Sequence, residues 1–271
     1  MSYFVPFDMI ARTDTGRVRV QNEDAVFADA AGGLAILADG MGGHNSGEVA
    51  SSMAVSLLSS RFSEVRSRCT AKAIDSCGRP FVHDQISALI EAVNLAIFSA
   101  AGERPDCVGM GTTLVLAWLF DNYLHVAHVG DSRLYRLRGG VLQLLTHDHS
   151  WVQEQIDRGE IDPGDARCAE IRNLVTRALG AEATVEVDSA AHEVLPGDCF
   201  LLCSDGLNDM LSDEQIAQIL QSSDNVNVAD DLIEIANGMG GRDNISVILI
   251  GVHDDFAAPR GCWQRLQAWL R

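Results

Sequence analysis

The sequence has few basic residues for its size, and this imbalance excludes one large class of partner. Against 38 aspartates and glutamates there are 20 lysines and arginines among 271 residues, which gives a net charge of −18 and a pI near 4.6. A phosphate backbone is bound by a basic surface. Nucleic acid is therefore excluded as the main partner.

Long apolar runs and a targeting signal are also missing. No stretch approaches about 18 consecutive apolar residues, so we expect no transmembrane helix. Met1–Asp8 lacks both a basic start and a long apolar run, and so does not look like a secretory signal. The seven cysteines are an odd number without such a signal, which fits a reducing compartment. We expect a cytoplasmic, monomeric protein, long enough for one large domain.

One short apolar run ends abruptly in an aspartate. Leu34–Ala38 is too short for a helix and is typical of a strand buried on both faces. Asp39-Gly40 follows, and glycine permits a tight turn and a close backbone approach. A carboxylate at the end of a stiff strand is held rigidly, as a metal ligand or catalytic group must be. By itself the same pattern is also typical of an ordinary turn.

Three further aspartates flank apolar runs in the same way. They are Asp131 after Leu124–Val129, Asp205 after Cys199–Cys203, and Asp243 before Ile245–Val252. As unrelated turns they would be a large coincidence. Together with Asp39 they predict a carboxylate cluster at one rim of a sheet system.

Such a cluster needs positive charge. Two carboxylates roughly 5 Å apart repel by about 3 kcal/mol at an effective dielectric constant of about 20. Two divalent cations would neutralise the group, and an all-oxygen ligand set favours Mg²⁺ or Mn²⁺ over zinc. The sequence therefore predicts a site for two hard metal ions.

Turn residues divide the remaining chain into strands and helices. Residues 112–138 read as an antiparallel meander of three strands, and Thr184–Glu193 reads as an edge strand. Asn45, with Glu48, is expected to cap a first helix, and Asp84 a second, with a polar loop over Ser63–His83 between them. The other predicted elements are the strands Phe7–Ala11 and Ala25–Ala28 and the helices Ser212–Leu220 and Val228–Asn237.

Two segments stand apart from this pattern. Residues 146–180 are polar with spaced apolar anchors, and are expected to lie beside the sheet as an excursion. Pro259–Arg271 is a basic amphipathic piece that differs from the acidic body. It would pack on its own domain, fray, or contact an acidic partner or a membrane surface. We therefore divide the chain into a domain at 1–255 and a tail at 256–271.

Six motifs occur in the order seen in the metal-dependent Ser/Thr protein phosphatases of type 2C, and the chain resembles the bacterial branch of that family over about residues 8–254. The borders of 146–180 are similar to the flap of that branch. The motifs are Arg19-Val20-Gln21-Asn22-Glu23-Asp24, Ala38-Asp39-Gly40-Met41-Gly42-Gly43, Gly111-Thr112-Thr113, Gly130-Asp131-Ser132-Arg133, Ser204-Asp205-Gly206 and Arg242-Asp243-Asn244.

The resemblance implies an α+β fold, a four-layer α-β-β-α sandwich of two mainly antiparallel sheets with helix pairs outside. It also implies two bridged ions, Mn²⁺ or Mg²⁺, at one edge of the sheets. By the same resemblance Asp39 bridges both ions, Asp205 and Asp243 ligate the first, and the Gly40 carbonyl ligates the second. Glu23 and Asp24 hold metal-bound waters, and Asp131 with Asp205 resembles a third, weaker metal position.

The implied reaction is in-line attack of a metal-bridging hydroxide on phosphoserine or phosphothreonine in proteins. Arg19 is expected to clamp the phosphate through its bidentate guanidinium, whereas Arg17 reads as a surface charge. Some relatives carry a histidine where this chain has Met41, so the general acid is unassigned. His44, His147 and His149 are candidates beside water.

Three functions compete on the sequence alone. The leading one is a protein phosphatase that opposes a cognate bacterial Ser/Thr kinase. The others are a hydrolase of small phosphoesters and a non-catalytic, metal-binding interaction module. Retention of all four aspartates and Arg19 argues against the module, because loss of any one would be its expected sign.

Overall fold

The structure is a computed structural model that describes residues 5–43, 46–69, 81–162, 174–222 and 227–258. The predictions that fall on His44, on Asn45, on residues 163–173 of the expected flap and on the tail from Pro259 lie outside the described residues.

The described chain forms eleven strands and six α-helices, with a 3-10 turn at Pro105–Cys107. The strands are β1 (Phe7–Asp14), β2 (Asp24–Asp29), β3 (Leu34–Met41), β4 (Gly111–Thr112), β5 (Leu114–Phe120), β6 (Tyr123–Val129), β7 (Arg133–Arg138), β8 (Val141–Leu144), β9 (Asp188–Glu193), β10 (Cys199–Cys203) and β11 (Ile245–Val252). The helices are α1 (Ser46–Arg68), α2 (Phe81–Glu103), α3 (Trp151–Asp157), α4 (Asp205–Asn208), α5 (Asp213–Ser222) and α6 (Val228–Gly238).

Two antiparallel sheets lie face to face at the centre. One has the strand order β1-β11-β10-β7-β8, and the other has the order β2-β3-β5-β6-β9 with β4 paired to β3. Helices α1 and α2 pack in one apolar cluster outside the second sheet, and α4, α5 and α6 pack in another outside the first. A third cluster fills the space between the sheets. The four-layer sandwich expected from the resemblance is confirmed.

The alternation of side chains along β3 explains where its aspartate lies. Successive residues of a strand point to opposite faces of the sheet. Leu34, Ile36 and Ala38 pack under the helices, whereas Ala35 and Leu37 pack between the sheets. Asp39 continues the second set and therefore lies at the rim of the layer between the two sheets.

The predicted meander over residues 112–138 is wrong. β5 and β6 form a hairpin around Asp121-Asn122, whose φ angles of 52° and 62° are those of a tight two-residue turn. β7, however, pairs with β10 and β8 in the other sheet, so the chain changes sheets at Gly130-Asp131-Ser132. Because β6 is buried on both faces, its alternation carries no signal for the partner of the next strand.

The predicted loop Ser63–His83 is also wrong at both ends. α1 continues to Arg68 because Val65 extends its buried stripe after Phe62. α2 starts at Phe81 rather than at Asp84, and Val82 already belongs to the core. Polar residues on the outer faces of these turns concealed the helical spacing of the inner ones.

One helix within the described ranges, Val82–Glu103, is long and apolar enough to cross a membrane by length and composition alone. Its stripe of Ile86, Ile90, Val93 and Ile97 is buried against α1 and the neighbouring sheet. One face of this helix therefore packs inside the fold, while Leu95 and Phe98 on the same helix are exposed.

Candidate metal centre

Five aspartates meet at one rim of the sandwich. Asp24 begins β2 directly opposite Asp39 at the end of β3. Asp131 lies on the crossover between the sheets, Asp205 is the first residue of α4 after β10, and Asp243 precedes β11. Electrostatic interactions connect Asp39 with the other four. The structure thus brings together the aspartates that the strand-end pattern singled out.

Crowding disfavours the ionised form of these carboxyl groups. Burial, followed by the neighbouring carboxylates, raises the pKa of Asp39 and of Asp205 well above the ordinary value. Burial raises the pKa of Asp24 to about 6 and that of Asp131 to about 7. One buried oxygen each of Asp24 and Asp205 has no hydrogen-bond partner in the described part of the chain. Unpaired buried oxygens and raised pKa values indicate a site built for added positive charge.

Arg19 is the basic side chain that reaches this cluster. Its Nη2 donates to Asp243 Oδ2 at 2.6 Å, and its side chain is 53% exposed. An exposed guanidinium over a carboxylate cluster is accessible to a ligand from solvent. Arg17 instead lies on the far side of the loop, where its backbone N–H donates to the Gly241 carbonyl at 2.7 Å.

Gly40 is required here by a close backbone approach. Its N–H donates to the Glu23 carbonyl at 3.1 Å, and a Cβ atom on Gly40 would collide with the Gly47 carbonyl and approach that same Glu23 carbonyl to 2.6 Å. Gly40 does not adopt a left-handed conformation, so contact with α1 explains the glycine, and chain flexibility does not.

Glu23 lies against the first turn of α1. Its carboxylate accepts from the backbone N–H groups of Gly47 and Glu48, and its carbonyl accepts from Ser51 Oγ at 2.6 Å. Burial raises the pKa of Glu23, and the charge of Arg19 opposes that rise. A helix N-terminus favours negative charge, and these backbone hydrogen bonds orient the Glu23 carboxyl group beside Gly40.

Hydroxyl side chains that the sequence analysis left without a role hold the aspartates in place. Thr113 Oγ1 accepts from the Asp39 N–H at 3.0 Å and hydrogen-bonds Ser132 Oγ at 2.7 Å. Ser204 Oγ donates to Asp24 Oδ2 at 2.8 Å. All three hydroxyl residues lie inside the quoted motifs. Ser132 and Ser204 each adjoin an aspartate in the sequence, which was the available signal, whereas Thr113 does not.

Asn244 connects the loop of Arg19 to the strand that follows Asp243. Its Oδ1 accepts from the Glu23 N–H at 2.8 Å, and its Nδ2 donates to the carbonyls of Gln21 and Thr15 at 2.9 Å and 3.0 Å. One side-chain amide thus holds three residues of that loop, Thr15, Gln21 and Glu23. Sequence order gave no sign of this contact, because its partners lie more than 220 positions away.

The two described histidine candidates for the general acid are engaged elsewhere. His147 is exposed, and its Nε2 lies 2.8 Å from Asp157 Oδ2. His149 is 5% exposed and bonds the Gly130 N–H through Nδ1.

A second cluster of potential metal ligands lies at the base of the 146–180 segment. His128, His149 and Asp188 form the one group of three or more such residues, among those described, whose ligand atoms lie within 4.8 Å of one another. Arg177 Nη1, however, lies 3.1 Å from Asp188 Oδ1 and 3.4 Å from His149 Nε2. Because the guanidinium already supplies positive charge there, this group is an Arg–His–carboxylate cluster.

Comparison with known proteins gives one consistent result. The sequence model of the protein phosphatase 2C family matches residues 17–241. The serine/threonine phosphatase stp of Listeria monocytogenes is 43% identical over 243 residues, which are 88% of this chain and 93% of that protein.

Solved structures agree with the sequence match. The catalytic domain of the serine/threonine protein phosphatase PstP, in complex with two manganese ions, superposes with a TM-score of 0.78 at 39% identity and covers 92% of this chain and 99% of its own. Serine/threonine phosphatase Stp1 from Staphylococcus aureus gives a TM-score of 0.81 at 32% identity, with 92% and 96% coverage. The chain belongs to the protein phosphatase 2C family.

Proposed function

We propose that this protein is a metal-dependent serine/threonine phosphatase that hydrolyses phosphoserine and phosphothreonine in other proteins. The observation that carries the proposal is the rim cluster itself, in which five aspartates converge and two buried carboxylate oxygens lack a described partner. Membership of the phosphatase 2C family supplies the chemistry that uses such a cluster.

The donor set fits two hard cations, Mn²⁺ or Mg²⁺, and the related PstP structure is a complex with two manganese ions. Asp39 would bridge them, Asp205 and Asp243 would hold one, and the Gly40 carbonyl would hold the other. Asp131 together with Asp205 would form a third, weaker position, and Glu23 and Asp24 would orient metal-bound waters. Bound ions lower the pKa of a coordinated water and offset charge on the phosphoryl group.

The side chains around this centre bind and orient the substrate. Arg19 is assigned to the phosphate oxygens, because a guanidinium pairs with phosphate through two parallel hydrogen bonds. Asn244 holds the loop that carries Arg19 close to Asp243. Among the described histidines, His147 and His149 bond other partners, so the proton for the leaving alkoxide is left to water or to His44, which lies outside the described residues.

Localisation, the opposing kinase and the domain bounds are part of the same proposal. We expect a cytoplasmic enzyme opposed by a cognate Ser/Thr kinase, with residues 1–255 as the catalytic domain and 146–180 as its flap. The described body continues slightly past that boundary, since Phe256 packs edge-on against Phe7 and the Ala258 N–H donates to Asp121 Oδ1 at 2.8 Å.

The decisive experiment is phosphate release from a phosphothreonine peptide in EDTA, Mg²⁺ or Mn²⁺, with the wild type, Asp39→Asn and Asp106→Asn. Asp106 is an exposed aspartate paired with Arg104 and serves as the matched control. We expect metal-dependent release by the wild type and Asp106→Asn, and none by Asp39→Asn. Full release by Asp39→Asn would remove its bridging role.

The same assay separates the competing functions when a small aryl phosphate is run beside the peptide. A large preference for the peptide supports the protein phosphatase. Hydrolysis of the small ester alone would favour the phosphoester hydrolase. No release with any metal, from folded protein that binds Mn²⁺, would favour the interaction module.

A further inference from the structure

His149 joins the border of the 146–180 segment to the crossover that carries Asp131. Its N–H donates to the Gly130 carbonyl at 3.0 Å, and the Gly130 N–H donates back to His149 Nδ1 at 3.1 Å. The two hydrogen bonds pair His149 with Gly130. Gly130 directly precedes Asp131, so this pairing fixes the backbone from which the Asp131 carboxylate projects.

The contact determines the tautomer of the imidazole. Because Nδ1 accepts a hydrogen bond, the proton of neutral His149 lies on Nε2. Nε2 lies 3.3 Å from Asp188 Oδ2, which accepts its hydrogen bond, so the neighbouring Arg177 Nη1 at 3.4 Å is a contact between two donors and not a hydrogen bond. Burial lowers the pKa of His149, the nearby His128 and Arg177 lower it further, and Asp188 opposes them. The ring is therefore neutral at neutral pH, as the Gly130 bond requires.

The crossover is also clamped on its other side. Gly130 has a φ of 101°, and a Cβ atom there would lie 2.7 Å from Thr113 Cγ2. Thr113 is the residue whose Oγ1 accepts from the Asp39 N–H. The crossover thus lies between Thr113, which contacts the bridging aspartate, and His149, which contacts the flap border.

The flap side of His149 is equally well defined. The Thr176 N–H donates to the His149 carbonyl at 2.8 Å, and Ser150 pairs with Val175 as an isolated bridge. The His128 ring stacks on that of His149 with centroids 4.9 Å apart. A displacement of residues 174–177 would therefore move His149, and with it Gly130.

We propose that His149 is a positioning residue that couples the flap border at residues 174–177 to the Asp131 crossover through its neutral imidazole. The inference rests on the proposed function, because Asp131 is there a metal ligand. His149 itself touches neither substrate nor metal. His149 acts through the hydrogen bond that its side chain accepts from the Gly130 N–H. A variant whose side chain also accepts that bond should therefore retain part of the Mn²⁺ affinity and of the activity.

Two substitutions of His149 distinguish the role of its hydrogen-bond acceptor, Nδ1, from that of the volume of its ring. In His149→Asn, Oδ1 replaces Nδ1 as acceptor for the Gly130 N–H, whereas His149→Leu fills similar space without an acceptor. His147→Asn serves as the control, since His147 is exposed and bonds Asp157. All are measured as full chains with Mn²⁺ by calorimetric metal binding and by phosphopeptide kinetics.

We expect His149→Leu to lower Mn²⁺ affinity and kcat/KM by roughly 10-fold, the low end for loss of a group that supports a metal ligand. We expect His149→Asn to retain most of both, and His147→Asn to match the wild type. Equal losses in the Asn and Leu variants, or none in Leu, would overturn the proposal. The binding measurement stands even if no phosphate is released, so this failure is distinguishable from failure of the proposed function.

A spectroscopic measurement on the wild type covers the case in which His149→Leu does not fold. The ¹⁵N shifts of His149 should show an unprotonated Nδ1 and a protonated Nε2 at neutral pH. A proton on Nδ1 would contradict the Gly130 bond and overturn the proposal.

Discussion

The rim of the sandwich and the base of the 146–180 segment, called the flap base after the proposed flap, both concentrate acidic side chains. Among the described residues, the paired acids of the flap base each have their own arginine, whereas Arg19 alone reaches the rim. At the flap base Arg133 holds Asp148 through Nη2 at 2.7 Å and Nε at 3.0 Å, and Arg177 holds Asp188 at 3.1 Å. At the rim Arg19 reaches Asp243, and no other arginine in the described part of the chain forms a salt bridge with the five aspartates.

The pKa values follow this difference. Burial raises the pKa of Asp188, but the hydrogen bond from His149 and the charges of the nearby histidines and Arg177 outweigh it and lower the net pKa. At the rim burial and neighbouring acids act together, so the pKa of Asp39 and that of Asp205 rise. Arginines of the protein itself therefore balance the aspartates of the flap base, whereas the rim aspartates depend on cations bound from solution.

The largest effect expected from this difference is on catalysis. Asp39→Asn removes the carboxylate that we assign to both ions, and should lower phosphopeptide kcat/KM by about 10³-fold or more, since metal ions supply several kcal/mol of transition-state stabilisation. Asp157→Asn, an exposed change at the end of α3, should leave kcat/KM near the wild-type value. Comparable losses in both variants, measured with Mn²⁺ present, would contradict the account.

An Asp→Asn substitution should change the free energy of unfolding in EDTA differently in the two regions. Asp148→Asn leaves Arg133 without its bidentate partner, and we expect a loss of about 2–4 kcal/mol, somewhat below the range for fully buried pairs. Asp205→Asn removes a crowded, partly unpaired carboxyl and should not destabilise the metal-free protein. Urea unfolding in EDTA measures both, and a larger loss for Asp205→Asn would reverse the comparison.

Arg19 should affect substrate binding more than metal binding. Arg19→Ala removes a charge-assisted contact worth about 1.5–3 kcal/mol, so kcat/KM for a phosphopeptide should fall about 10- to 100-fold. Arg19→Lys should recover only part, because a lysine cannot form the bidentate pair. Steady-state kinetics at saturating Mn²⁺ tests this, and unchanged values would disprove the clamp.

The contribution of the rim carboxyl groups to metal-free stability should decrease as the pH rises toward neutrality. Between the ordinary carboxyl pKa near 4 and the raised folded values, the folded protein holds protons that the unfolded chain has lost. The resulting stability is present below about pH 4 and is lost as the pH passes about 6 for Asp24 and about 7 for Asp131. Histidines with lowered pKa values add stability over the same pH range in both conditions; they are His125, His128, His149 and His192. The decline should therefore appear as the difference between thermal unfolding profiles with EDTA and with Mg²⁺, because cations bind the ionised form of the rim acids. Parallel pH profiles with and without Mg²⁺ would contradict the account.

The third position should give the smallest effect. Asp131→Ala should reduce hydrolysis of a small aryl phosphate less than Asp205→Ala, because Asp205 serves two of the proposed sites. Equal reductions, measured at saturating Mn²⁺, would argue against a separate role for Asp131.

The strand-end aspartates were predictable because four of them flank short apolar runs in the same way, although one such pattern alone is also typical of an ordinary turn. The burial of Leu34–Ala38 and the position of Asp39 follow directly from that pattern. The crossover at Gly130 was not predictable, since a strand buried on both faces has the same sequence whichever sheet receives the next one.

The contacts of His149 and Asn244 were beyond the sequence for another reason. Asn244 bonds the backbone of a residue 221 positions away and His149 that of a residue 19 positions away, and a backbone N–H or carbonyl carries no side-chain signature. The resemblance to a family identified the aspartates and Arg19, but their supports emerge only when the loops are placed in space.

The most direct test of the charge comparison is Mn²⁺ binding by calorimetry at about pH 6.5, in two buffers of different ionisation enthalpy. We predict two strongly bound ions per chain and a net release of protons, since carboxyl groups with raised pKa values must ionise to bind metal. Asp39→Asn should bind fewer ions and release fewer protons. Binding of two ions by that variant, or binding without proton release by the wild type, would contradict the account.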